Sequence, residues 1–178
     1  MRIISGIYKG RRLTAPKNLP VRPTTDFAKE ALFNILRVRY FFEELTVLDL
    51  FSGTGNISFE FASRGVPNIT SVDQHPDCIQ YINKVSEEFQ FPINTIKADV
   101  FKYLENASGK YDVIFADPPY DFDVSQLESI VKTIFEKELL NSEEGLLVIE
   151  HSKQNDLSKI KQFVEARKYG GNVFSFFS

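Results

Sequence analysis

From residue 46 onward, short apolar runs alternate with segments whose apolar residues recur every three or four positions. The first pattern is that of a strand buried on both faces. The second is that of a helix docking one face on a sheet. Strands are predicted at 46–51, 68–72, 94–98, 111–116 and 145–150. Helices are predicted at 57–63, ended by Arg64-Gly65, then at 76–88, in a short stretch closing near 106, at 124–135, and briefly at 157–160. Such alternation implies a parallel sheet covered on both sides. The last two apolar segments, 162–168 and 173–177, are separated only by Tyr169-Gly170-Gly171-Asn172. So short a link permits an antiparallel hairpin and forbids a parallel crossover.

Upstream of residue 46 the pattern differs. Segments 2–7 and 11–14 read as two short strands with Lys9-Gly10 in the turn between them. Residues 15–24 carry Pro16, Pro20 and Pro23 and read as an extended connector. A helix follows from Thr25 or Asp26, either of which can cap free backbone N–H groups. Ala28, Leu32 and Ile35 or Leu36 give it one apolar face. The chain therefore divides into a hairpin–helix extension over 1–45 and a main domain over 46–178.

Charge sharpens that division. Residues 1–39 hold nine Lys/Arg and two acids, net +7, whereas the remainder is net −10, out of an overall −3. A basic arm on an acidic body points to an arm that meets phosphates. The lone Cys78 excludes an internal disulfide framework and fits a reducing cytoplasm. With one Cys and two His, a dedicated zinc site is not expected. No apolar run approaches transmembrane length, and the N-terminus has no signal-peptide core.

The sharpest cofactor signal is Asp49-Leu50-Phe51-Ser52-Gly53-Thr54-Gly55, a strand entering a Gly-x-Gly turn that opens a helix. Glycine lets backbone pass close to a ligand because no Cβ intervenes. Ser58 stands where a dinucleotide fingerprint needs its third glycine, and no P-loop lysine follows. A close-approach turn without phosphate-binding chemistry suits a nucleoside lacking a pyrophosphate, such as S-adenosylmethionine. Asp49 could bond its amino-acid part directly or through water. Asp73, 24 residues on, falls at the next strand tip, near the spacing of an acid that grips ribose hydroxyls. Asp99, at the third tip, could accept a bond from the adenine amino group. Any one of these acids alone is more often a helix cap; it is their succession at strand tips that favours ligand binding.

The segment Asp117-Pro118-Pro119-Tyr120 follows the fourth predicted strand. An exocyclic amine on a base is a poor nucleophile because its lone pair is delocalised into the ring. Acceptors around its N–H groups hold the nitrogen more pyramidal. Asp117 offers a carboxylate and Pro118 a carbonyl, on a turn that two prolines stiffen. Tyr120 offers a face for stacking, worth about 1–3 kcal/mol. A base inside a helix cannot reach such a pocket and must be flipped out or unpaired.

These two segments together resemble the amino-group nucleic-acid methyltransferases. Arg2-Ile3-Ile4-Ser5-Gly6-Ile7-Tyr8-Lys9-Gly10-Arg11-Arg12-Leu13, Arg22-Pro23-Thr24-Thr25-Asp26, Lys29 to Leu36, Glu60 to Gly65 and Tyr169-Gly170 narrow the likeness. Over nearly its whole length the chain resembles the RsmD-type 16S ribosomal RNA (guanine-N2)-methyltransferase family. The resemblance implies a Rossmann-like α/β class I fold, with a seven-stranded, mostly parallel sheet and an antiparallel last strand. It implies S-adenosyl-L-methionine as cofactor, held by Asp49, Phe51, Gly53, Thr54, Gly55, Asp73, Gln74, Asp99 and Val100, with Thr24 and Thr25 beside its methionine end. It places Asp117, Pro118, Pro119 and Tyr120 against a guanine. Arg2, Lys9, Arg11, Arg12 and Arg22 would touch RNA phosphates. The expected partner is 16S ribosomal RNA within a small subunit or assembly intermediate, met by a cytoplasmic monomer with no membrane association. The Asn56–Phe59 stretch departs toward larger residues, and Gln74 stands where a basic residue is frequent; neither change removes a reacting group. The residues alone leave open the same chemistry on adenine-N6, or a non-catalytic RNA-binding assembly factor. Cys78 and His75 read as packing and loop residues, His151 as a residue at a strand end that could line the pocket mouth, and Phe174, Phe176 and Phe177 as sheet packing.

Overall fold

The computed structural model of the protein describes residues 1–16, 19, 24–141 and 144–178. In chain order the elements are α1 (Asp26–Arg39), β1 (Thr46–Leu50), α2 (Asn56–Ser63), β2 (Asn68–Asp73), α3 (Pro76–Phe89), β3 (Ile93–Lys97), α4 (Val100–Asn106), β4 (Val113–Ala116), α5 (Val124–Glu136), β5 (Leu146–Ser152), β6 (Phe163–Tyr169) and β7 (Asn172–Phe177). Helix starts follow local chemistry. Thr25 caps α1 by accepting from Ala28 N at 3.2 Å. Pro76 opens α3, where its missing N–H costs nothing. Asp123 and Gln126 form a reciprocal capping box on α5.

The strands form one seven-stranded sheet in the order β3-β2-β1-β4-β5-β7-β6. All pairings among β1 to β5 are parallel, and β7 runs antiparallel to both neighbours. Adjacent residues of each central strand feed opposite layers of core. Val47, Val113 and Val148 pack with Leu32, Phe61 and Ile82 on the face covered by α1, α2 and α3. Leu48, Ile114 and Leu147 pack with Leu104 and Ile130 on the face covered by α4 and α5. This double burial is why the strands read as continuous apolar runs. Phe174, Phe176 and Phe177 are fully buried, as their sheet-packing reading requires.

Three local expectations change. The N-terminal segments do not form two full strands: one bridge joins Arg2 and Arg12, supported by Ile3 N to Arg11 O at 2.9 Å and Gly10 N to Ile3 O at 2.8 Å. The intervening N–H groups serve α2 instead. Ile4 N and Ser5 N donate to the Glu60 carboxylate at 2.8 and 3.0 Å, and Ile7 N donates to Ser63 O at 2.8 Å. Gly6 sits at φ +85°, and an added Cβ would lie 1.8 Å from Ser63 O, so this docking demands glycine. Residues 157–160 form turns rather than a helix, with Ile160 N bonded three residues back to Leu157 O. Leu157 and Ile160 are buried, so their four-residue stretch carries an apolar signal without helical continuation. A one-turn 3₁₀ helix at Phe42–Glu44, unsignalled by periodicity, places Phe42 in the core. Two of the connector's prolines, Pro20 and Pro23, lie outside the described residues, as does Arg22.

Lys29, counted in the basic arm, is 1% exposed and faces inward. Its Nζ donates to Arg2 O at 2.6 Å and Asn56 Oδ1 at 2.8 Å, and lies 3.5 Å from Glu60. Glu60, fully buried, also receives Arg64 at 2.8 Å. Burial lowers the Lys29 pKa, and Glu60 and Asp26 oppose that shift. Removing one member of such a pair strands a charge in the core at a cost of about 3–5 kcal/mol. We expect Glu60→Ala to destabilise the protein by roughly that amount in urea denaturation, and the double variant Lys29→Met/Glu60→Leu to recover part of the loss.

Candidate functional site

The chain runs outward from β1 through β2 to β3, then returns to build β4 and β5 on the other side. The sheet's switch point is therefore the gap between β1 and β4, and ligands of open α/β sheets bind beyond the carboxyl ends there. Leu50 and Ala116 are in register at that point, and Asp117 N donates to Leu50 O at 3.3 Å.

The turn after β1 is held by backbone. Ser52 N donates to Val72 O at 3.0 Å, and Gly55 N donates to Ser52 O at 2.8 Å. Asp73 clamps it from β2: one carboxylate oxygen accepts from Gly53 N and the other from His75 N, both at 2.8 Å. Each oxygen keeps a second lone pair for a ligand. Gly53 and Gly55 have φ of +52° and +78°, and Phe51 is left-handed at +56°. Left-handed Phe costs of order 1 kcal/mol, which the fixed turn absorbs. Beneath the turn, Asp49 is buried and accepts from Ser58 Oγ at 2.5 Å, and Ser58 and Ser71 hydroxyls lie 2.6 Å apart. Burial pushes the Asp49 carboxyl up to about 7, against the lowering effect of Ser58.

Across the gap, Asp117 ends β4. Burial, then the nearby Glu150 and Asp49 carboxylates, hold its pKa well above the usual carboxylate range. Glu150, near the end of β5, is the residue that sequence reasoning missed. It is buried, accepts from Thr24 Oγ1 at 2.8 Å and from Asn172 Nδ2 at 2.5 Å, and lies 3.4 Å from the Tyr120 hydroxyl. Tyr120 also donates to Asn172 Oδ1 at 2.9 Å. One carboxylate thus joins the segment before α1, the Asp-Pro-Pro-Tyr turn and the β6–β7 hairpin. A charged residue inside the apolar run 145–150 was the available signal.

Asp49, Asp73, Asp117 and Tyr120 are among the groups that line a cavity of about 430 Å³, within the range of about 300–1,000 Å³ usual for ligand sites. Of the sequence-predicted residues, Thr24, Asp49, Phe51, Gly53, Thr54, Asp73, Gln74, Asp99, Val100, Asp117, Pro118, Pro119 and Tyr120 line it. Gly55 and Thr25 stand behind the wall. Gly55 opens α2, where an added Cβ would meet Ile82 at 2.9 Å, and Thr25 caps α1. Asp99 lines the cavity while capping α4 through Lys102 N at 3.1 Å. Cys78 and His75 also reach the wall, with burial raising the Cys78 thiol to about 11. His151 does not line it: it is buried in the sheet, its Nε2 2.7 Å from Ser175 Oγ, and burial lowers its pKa. Arg2, Lys9, Arg11 and Arg12 lie on the exposed surface, with Arg2 paired to Asp26 at 3.1 Å and Arg11 3.9 Å from Glu88.

The cavity's charge is its most informative property. Four carboxyl groups, Asp49, Asp73, Asp99 and Asp117, line it, and no Lys or Arg does so among the described residues. Such a wall repels phosphates and attracts a ligand bearing positive charge. No group of His, Cys, Asp and Glu suited to a metal ion occurs among the described residues. No helix among them is long and apolar enough to cross a membrane.

The sheet order, with a cavity at its switch point, is that of the Rossmann-like class I methyltransferase fold. The family described as Conserved hypothetical protein 95 matches residues 1–178, and the chain belongs to this RsmD-type methyltransferase family. A Haemophilus influenzae relative, ribosomal RNA small subunit methyltransferase D, is 30% identical over 163 residues, covering 88% of this chain and 81% of the relative. The solved structure of a hypothetical protein of Thermus thermophilus, TTHA0928, superposes with a TM-score of 0.85 at 26% identity, covering 100% of this chain and 99% of that one. SMU.776, solved in complex with SAH, shares the fold at a TM-score of 0.62 and 22% identity, over 80% of this chain and 48% of that chain.

Asp49 makes the ligand-free protein pH-sensitive. Its folded pKa, about 7, lies above its unfolded value. Below the unfolded pKa it has no effect; as pH rises toward 7 the unfolded chain ionises first, and stability is lost. Asp49→Asn removes that loss. In thermal melts we expect the variant to match the wild type near pH 4 and to exceed it above pH 7.

Proposed function

We propose that the protein transfers a methyl group from S-adenosyl-L-methionine to the exocyclic N2 amino group of a guanine in 16S ribosomal RNA. The observation that carries this reading is the wall of four carboxyl groups without a cation among the described residues, set against the Asp117–Tyr120 turn at the switch point. S-adenosylmethionine fits that wall: its ammonium and sulfonium outweigh its one carboxylate, and it carries a ribose diol and no phosphate. Asp73 offers its remaining lone pairs to the ribose, while Asp99 and Val100 face the adenine side. The Gly53 turn and Asp49 take the amino-acid end, with Thr24 close to it. When bound, this cofactor supplies an electrophilic methyl group on a positively charged sulfur that departs as a neutral thioether.

The chain's own contribution is alignment and proton management. The Asp117 carboxylate and Pro118 carbonyl accept from the N–H groups of the flipped base and orient its nitrogen lone pair. Tyr120 is held by Asn172 and Glu150, so its ring is a preset stacking face. As the new N–C bond forms, the nitrogen becomes cationic and releases a proton. Asp117, whose pKa is raised by burial and by Glu150 and Asp49, is well matched to receive it. The nearby Glu150 carboxylate also stabilises the passing positive charge. The exposed Arg2, Lys9, Arg11 and Arg12, with Arg22 from outside the described residues, supply the phosphate contacts. The relatives' small-subunit ribosomal RNA supports the choice of substrate.

The test is methyl transfer from labelled S-adenosylmethionine to small ribosomal subunits lacking this modification, followed by nucleoside mass spectrometry. N2-methylguanosine should appear, and Asp117→Ala should reduce its rate by at least about 100-fold, the scale of losing a preorganised polar contact to the transition state. N6-methyladenosine would overturn the base assignment. Cofactor binding without transfer to any nucleic acid would overturn the catalytic reading.

A further inference from the structure

Phe27 is out of place by the logic of its helix. It lies in the first turn of α1, two residues from the Thr25 cap, and is 66% exposed. The buried face of α1 is formed by Ala28, Leu32, Phe33 and Leu36, so Phe27 is not needed by the core. Its ring meets the half-buried Tyr169, at the end of β6, edge-on with centroids 6.0 Å apart.

The position of that pair follows from contacts already described. Tyr169 begins the β6–β7 turn, and Asn172 at the end of the same turn holds the Tyr120 hydroxyl at 2.9 Å. Thr24, three residues before Phe27, lines the cavity. Phe27 and Tyr169 are therefore each three residues along the chain from a group of the wall or its support, Thr24 and Asn172. The intervening Gly170 and Gly171 have no atom within 4 Å of an added Cβ, so the turn beside Tyr169 is uncrowded. Cations flank it. Arg2 is bound to Asp26, the neighbour of Phe27, and the exposed Lys168 precedes Tyr169.

We propose that Phe27, backed by Tyr169, is a stacking platform for an unpaired nucleotide of the RNA, adjacent to the base that enters the cavity. The inference rests on the RNA-directed reading above and adds a second recognition site to it. Drawing one base out of a strand deprives its neighbours of a stacking partner. A flat aromatic ring replaces that partner with little regard to sequence, because every base has a π-face. Arg2 and Lys168 attract the adjoining phosphates. A protein partner or a second copy of the chain would use the aromatic surface without the cations.

The chain contains no tryptophan, so Phe27→Trp places a sole fluorescent reporter on the platform, and its exposure leaves room for the larger ring. Full-length Phe27→Trp would be titrated with a short unstructured oligoribonucleotide and with an abasic oligomer of equal length and charge. We expect quenching by the first and little by the second. Phe27→Ala should bind the first on the order of 5- to 100-fold more weakly, the scale of one lost stacking contact, with cofactor affinity unchanged. Equal quenching by the abasic oligomer, or unaltered binding by Phe27→Ala, would overturn the platform. So would self-association that Phe27→Ala abolishes. None of these readouts needs methyl transfer: quenching with no methylated product would retain the platform and reject the catalytic reading, whereas product without quenching would do the reverse.

Discussion

The Glu60 carboxylate is the constraint on which the site's framework depends. It is fully buried at the centre of α2, the helix that the glycine turn opens. It satisfies two backbone N–H groups of the N-terminal segment and binds Arg64 and Lys29. Lys29 in turn holds Asn56, and Asn56 Nδ2 donates to Thr24 O at 3.1 Å, at the cavity wall. One buried anion thus fixes the N-terminal segment, the start of α1 and the first turn of α2 relative to one another. Buried pairs of this kind add little net stability compared with apolar substitutes. Here the geometry is specific: the carboxylate gathers donors from the N-terminal segment, from α1 and from the end of α2, so those pieces assemble in one way.

The cavity shows the opposite economy. Carboxyl groups crowd it, and burial, with neighbouring carboxylates adding to it, favours protonation of Asp49 and Asp117. Raised carboxyl pKa values cost the folded state stability at neutral pH, where the unfolded chain ionises the same groups freely. The protein's charge is divided, with carboxyl groups around the cavity and exposed cations on the N-terminal segment. The overall charge of −3 conceals this division.

Much of the architecture was legible in the chain because doubly buried parallel strands and one-sided helices leave different periodicities. The strands at 68–73 and 146–152 and the helices at 76–89 and 124–136 stand within about two residues of expectation, the usual uncertainty of element ends. The N-terminal hairpin was less legible. Residues 2–7 read as a strand, but the N–H groups of Ile4, Ser5 and Ile7 bond to a helix carboxylate and carbonyl far away in sequence. Lys29 misled in the same way: a formal charge counted toward a basic arm is in fact the cation of a buried network.

The sequence by itself determined the strand-tip acids, the glycine turn and the Asp-Pro-Pro-Tyr turn, because each is a local pattern whose chemistry depends on neighbouring residues. It therefore carried the methyltransferase class and the expectation of a nucleoside cofactor. Only the tertiary structure decided that those acids share one cavity free of cations among the described residues, that Thr25 and Gly55 stand behind its wall, and that His151 is a sheet residue. It alone brought Glu150 to Thr24, Tyr120 and Asn172, and Phe27 to Tyr169. The physical reason is distance along the chain. Hydrogen bonds and ring contacts between residues far apart in sequence, such as Thr24 with Glu150 and Phe27 with Tyr169, leave no periodicity to read. They arise only when the sheet brings its strand ends together.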